Sequence, residues 1–196
     1  MEDRIRSVIA ESISIKKLIL EDQGLLNTLE IITTHCVNCL ERSGQLLFCG
    51  NGGSAADAQH LAGEFSGRFY LDRDPLPAEA LHVNTSFLTA VANDYDFASA
   101  YARSVAAKGR PGDILFAIST SGNSTNIIRA AQMAKSKNMK VIGMTGESGG
   151  ALAAEVDFLL KVPSTDTPRI QECHILLGHI ICELVENRIF GNQTPK

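Results

Sequence analysis

Five short apolar runs, spaced apart by segments of helical periodicity, restrict this chain to very few architectures. The first follows a turn in SGQLLFCG, and the others are ALHVNT, DILFAIST, KVIGMTG and FLLKVP. At about 95–107 and 124–138, apolar residues return every three or four positions, the spacing of a helix with one buried face. Two further helical patterns, Glu2 to about Asp22 and Leu25 to about Arg42, precede the first run, and a last one extends from about Pro168 to Ile189. LDRDPLPAEA reads as a loop, because Pro75 and Pro77 interrupt regular structure. Strands separated by helices imply βαβ units and a parallel sheet covered on both faces. The expected fold class is α/β, a layered sheet with two N-terminal helices and a long C-terminal helix, in one domain over 1–196.

With 196 residues and 44% hydrophobic content, the chain can bury a sizeable core. A formal net charge of -4 gives no general surface for nucleic acid or anionic membrane, so any phosphate site has to be built locally. MEDRIRSVIA lacks the basic start, apolar run and cleavage site of a signal peptide, and no stretch approaches the roughly 20 apolar residues that cross a bilayer. A cytoplasmic location is expected. Five scattered cysteines fit a reducing compartment, and the CxxC of Cys36 and Cys39 reads as two helix cysteines rather than a metal or redox site. The C-terminal segment PRIQECHILLGHIICELVENRIF is apolar around much of its circumference, which together with two long N-terminal helices predicts a homo-oligomer.

Two loops at strand ends carry the chemistry of anion binding. In GNGGS, Gly50, Gly52 and Gly53 permit positive φ and close approach, and Ser54 is expected to cap the next helix. The helix start itself favours an anion. In STSGNS, the hydroxyls of Ser119, Thr120, Ser121 and Ser124 surround Gly122. Either loop alone could be a capped turn. Two of them in one parallel-sheet domain, at the carboxyl ends of strands, point to a phosphorylated small molecule. The first loop does not match the glycine pattern of a nucleotide loop.

His60 and Glu64 lie one turn apart on the helix that follows the first loop. On the C-terminal helix, Gln171 and His179 are eight residues apart, a net rotation of about 80°, and can point to the same region. Polar side chains on so apolar a helix need partners, which a chemical site supplies.

GNGGSAADAQHLAGEFSGRF, ANDYDFASAYARSV, ISTSGNS and RIQECHILLGHIICELVE, in this order, resemble the sugar isomerase (SIS) domain family and most closely its bacterial phosphoheptose isomerases. The resemblance covers nearly the whole chain. It implies a SIS-type three-layer sandwich with a five-stranded parallel sheet, a homotetramer with active sites at subunit contacts, and isomerisation of sedoheptulose 7-phosphate to D-glycero-D-manno-heptose 7-phosphate for lipopolysaccharide core or related glycans. It assigns phosphate binding to Ser54, Ser119, Thr120, Ser121 and Ser124, with Asn51, Gly52 and Gly53 lining the first loop, and contacts with sugar hydroxyls to Asn93 and Asp94. Glu64 and His179 match the acid/base pair. His60, Glu64, Gln171 and His179 match a zinc set found in several members. The family also includes a noncatalytic adaptor that binds a replication initiator, and isomerases of other sugar phosphates. The acidic Glu64 favours the enzyme over the adaptor. Asn84, in HVNTS, stands where many members have an aspartate-containing segment.

Overall fold

In the computed structural model, which describes residues 1–191, strands β1 (Leu46–Cys49), β2 (Ala78–Ala80), β3 (Ile114–Ile118), β4 (Lys140–Thr145) and β5 (Phe158–Lys161) pair in parallel in the order β2-β1-β3-β4-β5. Residues 192–196 of the expected domain lie outside the described residues. The helices are α1 (Glu2–Glu21), α2 (Gln23–Glu41), α3 (Gly53–Ser66), α4 (Thr85–Asp94), α5 (Ala100–Lys108), α6 (Thr125–Ser136) and α7 (Thr167–Phe190), with 3-10 turns at Phe97–Ser99 and Ala151–Glu155.

Strand side chains alternate between two cores, as the two-residue period of a strand requires. Leu46, Phe48, Ile114, Phe116, Ile118, Ile142 and Met144 face the layer of α2, α3 and α7. Leu47, Cys49, Leu115, Ala117 and Val141 face the layer of α5 and α6. The result is a three-layer α/β sandwich. Phe48 stacks on Phe116 at 4.7 Å and packs on Phe65 of α3 at 6.1 Å, so truncating it costs about 3–5 kcal/mol.

Local chemistry sets the boundaries. The Asp22 carboxylate accepts the Leu25 N–H at 3.0 Å and starts α2 where α1 stops. Pro168 in the first turn of α7 needs no intrahelical acceptor. The expected strand ALHVNT is corrected: pairing ends at Ala80, and the preceding loop-like AEA forms β2 instead. Downstream, the Asn84 side chain accepts the Phe87 N–H at 3.0 Å and nucleates α4, a helix absent from the sequence reading. The helix expected from about 95 starts as a 3-10 turn, where Asp96 accepts from Ser99 N, and becomes α5 at Ala100. Cys36 and Cys39 are buried on α2, and burial pushes both thiols up, Cys39 to about 11, so neither is poised as a thiolate. Among the described residues, no helix is long and apolar enough to cross a membrane.

Candidate active site

β1 and β3 are neighbours in the sheet, yet α3 leaves β1 on one face and α6 leaves β3 on the other. This divergence opens a crevice at their carboxyl ends, where open α/β sheets take ligands. Both glycine- and hydroxyl-rich loops lie there.

In the first loop, Gly52 has φ +55° and caps α3, so Ser54 is the second helical residue and makes no capping bond. The expectation that Ser54 caps the helix is therefore corrected. A Cβ at Gly50 would lie 2.3 Å from the Ser54 carbonyl oxygen, so only glycine lets the chain turn this tightly. Tyr101 reinforces the turn by donating its hydroxyl to the Gly50 carbonyl. The N–H groups of Gly52 and Gly53 have no backbone acceptor among the described residues, which leaves an anion-binding helix start.

The second loop is held against Gly149: Gly122 has φ +66°, and a Cβ there would sit 2.1 Å from the Gly149 carbonyl oxygen. Ser119 Oγ donates to Ser124 Oγ at 3.1 Å, and Ser121 Oγ accepts the Asn123 N–H at 3.1 Å. Thr120 and Ser121 open onto a cleft of about 240 Å³ shared with Gly146, Ser164 and Thr167. The two loops are tied together by Asn51 and Asn126, whose side-chain amides exchange hydrogen bonds of 2.9 and 2.8 Å. Asn126 was not singled out in the sequence, where it is one polar residue in the first turn of a helix.

The eighth and twelfth residues of α3, His60 and Glu64, are titratable. His60 Nε2 lies 3.3 Å from Glu64 Oε1 and 2.9 Å from His179 Nε2 on α7. One donor atom from each of the three residues lies within 4.8 Å of the others. The approach of the two helices rests on Gly178, where a Cβ would come within 2.6 Å of both Leu61 methyl groups. Leu61 follows His60 and Gly178 precedes His179, so this contact brings the two imidazoles together. The glycine inside the apolar run LLGHII was its sequence signal.

Burial holds the His179 imidazole below its usual range; the neighbouring His60 adds to this and Glu64 opposes it. His179 is consequently neutral near pH 7. Two imidazole nitrogens 2.9 Å apart share one proton or face a common cation. Two histidines and a glutamate form the ligand type of catalytic zinc sites that keep a position open for substrate or water. A metal fits this donor set.

Gln171 lies elsewhere within the chain. Its amide rests on Gly53, 2.5 Å from where a Cβ would be. The pairs Gly53 with Gln171 and Leu61 with Gly178 show that α3 and α7 run in parallel, which puts Gln171 about 12 Å along α7 from His179 at a rise of about 1.5 Å per residue. Within the single chain Gln171 and His179 are thus offset along the helix axis, with the Gln171 amide against Gly53 of the first loop. Asn93 and Asp94 end α4, are exposed, and bond to each other at 2.9 Å. α4 itself packs chiefly on the 3-10 turn at Phe97–Ser99 and on α5. Asp57, passed over in the sequence, lies one turn before His60; its Oδ2 is buried without a hydrogen-bond partner, and burial pushes the carboxyl up to about 6 against the opposing effect of His60.

A parallel α/β domain with paired glycine- and hydroxyl-rich loops at its switch point, and a His60, Glu64 and His179 cluster between α3 and α7, has the layout of a sugar-phosphate domain. Residues 11–146 match the family model of the SIS domain. The phosphoheptose isomerase of Aneurinibacillus thermoaerophilus is 50% identical over 193 residues, covering 98% of both chains. That of Burkholderia pseudomallei is 49% identical over 197 residues, covering 98% of this chain and 100% of its own. The solved structure of the phosphoheptose isomerase from Neisseria gonorrhoeae aligns with a TM-score of 0.89 and 43% identity over 95% of this chain and 98% of that one. The chain belongs to the SIS domain family, in its phosphoheptose isomerase branch.

Proposed function

We propose that the protein is a cytoplasmic aldose-ketose isomerase converting sedoheptulose 7-phosphate to D-glycero-D-manno-heptose 7-phosphate, which supplies heptose for lipopolysaccharide core or related surface glycans. The observation that carries this reading is the cluster of His60 and Glu64, on a helix that begins at the first glycine-rich loop, with His179 of α7. Its relatives' names support the same chemistry.

The reaction needs a proton to leave the carbon beside the carbonyl, an enediol to form, and a proton to return to the neighbouring carbon. Ser54, Ser119, Thr120, Ser121 and Ser124, with the backbone of Asn51, Gly52 and Gly53, hold the phosphate. Glu64 takes and returns the carbon-bound proton, and neutral His179 exchanges protons with the sugar oxygens, each step contributing roughly 10²–10⁴-fold. Gln171, at Gly53, orients the chain of the sugar between the two ends, and Asn93 and Asp94 read its hydroxyls. His60, Glu64 and His179, with Gln171 as the fourth residue of the set, would hold a zinc ion, which when bound supplies Lewis-acid polarisation of the carbonyl and enediol oxygens.

A homotetramer is part of the same proposal. On α1, Ile5, Ile9 and Ile13 form a row at four-residue spacing with about half of each side chain exposed, and of the whole helix only Ile19 is buried. Such an apolar face needs a covering surface.

Conversion of sedoheptulose 7-phosphate by the purified protein, with and without a chelator, tests the reading. Turnover is expected, with loss on chelation and recovery on adding zinc. Glu64→Gln is expected to abolish turnover while inorganic phosphate still binds. A folded tetramer with no turnover in any metal condition would instead favour a different sugar phosphate or an adaptor role.

A further inference from the structure

The side chains of Arg73 and Glu186 are each only 2% exposed and meet at 2.7 Å, away from the phosphate loops. Glu186 lies seven residues beyond His179 on α7, on the same helix face. Its carboxylate accepts the consecutive N–H groups of Phe69, Tyr70 and Leu71 at 3.0, 2.7 and 2.9 Å. Arg73 spends its remaining donors on carbonyls: Phe65 at 2.9 Å, Gly67 at 3.3 Å, Asp74 at 3.0 Å and, through Nη2, Glu64 itself at 2.9 Å. Its guanidinium also lies over the Phe190 ring, 5.4 Å from the centroid.

A buried ion pair is poor grounds for claiming stability, since well-packed apolar residues often serve as well. What this pair supplies is geometry. The carbonyls of Glu64 and Phe65 belong to the last turn of α3, where no intrahelical donor remains, and the guanidinium fork fixes both at once. The same knot pins the segment that starts at Gly67, and the Phe69 ring in that segment lies 5.7 Å from the imidazole of His179. Gly67 and Arg68 line the open cleft that also holds His60 and Glu64. One buried pair thus touches the backbone of the acid/base carboxylate and the segment packed against the acid/base imidazole.

We infer that Arg73 and Glu186 are positioning residues that set the spacing of Glu64, His60 and His179. The inference rests on the proposed isomerase reading for its kinetic consequence, though not for its structural one. Arg73→Lys keeps the charge but has three donors in place of five and no planar fork.

In the intact protein, Arg73→Lys is expected to lower kcat about 10–100-fold, the usual consequence of a misplacement near 1 Å, with KM changed less than about threefold. Inorganic phosphate should still bind one per chain, which counts the folded sites. In histidine-labelled protein, the ring resonances of His60 and His179 should move while those of His35, packed on Phe158, stay in place. Parental His60 and His179 resonances with kcat per phosphate site within twofold of the parent overturn the inference. So does a fall in kcat that only matches a loss of phosphate sites. If the parent has no turnover, the isomerase reading fails, and the histidine resonances alone decide the positioning role. If Arg73→Lys does not fold, the double variant Arg73→Met with Glu186→Leu leaves no buried charge unpaired, and unchanged His60 and His179 resonances there likewise overturn it.

Discussion

Gly178→Ala places a single methyl group where α3 and α7 touch. That methyl would lie 2.6 Å from both Leu61 methyls and 3.1 Å from its Cγ, whereas ordinary contact begins near 3.4 Å, so the helices have to part by up to 0.8 Å at this level. Leu61 is 1% exposed and cannot swing away. The same displacement would lengthen the 2.9 Å separation of the His60 and His179 nitrogens to about 3.7 Å, beyond hydrogen-bonding distance. Two effects on stability oppose each other. Alanine in a helix interior gains about 1 kcal/mol over glycine, and overpacking a core costs about 1–3 kcal/mol. The net change in stability is therefore small, between about zero and a loss of 2 kcal/mol, while turnover should fall on the order of 10²-fold. Thermal melting and steady-state kinetics on the same sample separate the two. A variant with parental kcat and a raised melting temperature would refute the reasoning, because it would mean that the Leu61 contact does not set the imidazole spacing.

Gly50→Ala, with its Cβ 2.3 Å from the Ser54 carbonyl oxygen, should distort the anion loop and raise KM and the phosphate Kd by at least tenfold; an unchanged phosphate isotherm would count against this loop as the anchor. His174 is buried and held neutral, its imidazole pushed down from 6.5 to about 4 by desolvation. A histidine depressed in the fold contributes stability that is complete above pH 6.5 and is lost as pH falls toward 4, here up to about 3 kcal/mol. Urea titrations across that window should show the decline, and His174→Gln, which keeps a donor for the Thr145 carbonyl, should flatten it. Ile9→Asp on the exposed face of α1 should lower the assembly mass measured by light scattering, and a parental mass would remove α1 from the interface.

Strands β1, β3 and β4 were legible because each is an apolar run buried on both faces, and β5, a half-buried edge strand, because Phe158, Leu159 and Leu160 still form a continuous apolar run. β2 was not, since its three residues AEA carry little apolar signal and are held as a strand by pairing with β1. α4 was obscured by the residues before it, ALHV, whose β-like composition masked the helix-capping role of Asn84. In the site, the i,i+4 spacing of His60 and Glu64 followed from helix periodicity alone. Their meeting with His179 depends on which faces of α3 and α7 pack together, and the helical angle of Gln171 said nothing about the 12 Å or so that separate it along the axis from His179. Asp57 and Asn126 escaped notice because polar residues in the first turns of a helix are commonplace; only their burial sets them apart.

On the proposed roles, the phosphate-holding Ser54 and the carboxylate of Glu64 belong to one unbroken helix, and α3 would act as a ruler. Ser54 and Glu64 are ten residues apart, about 15 Å along the axis, and no hinge intervenes. A phosphorylated sugar anchored at Ser54 would thereby be measured from its tail: each carbon removed would leave the carbonyl end short of Glu64, however well the remaining hydroxyls are bound. Selectivity for chain length would then reside in the covalent geometry of a helix, and altering it would require inserting or deleting a turn of α3 instead of changing the residues that line the pocket.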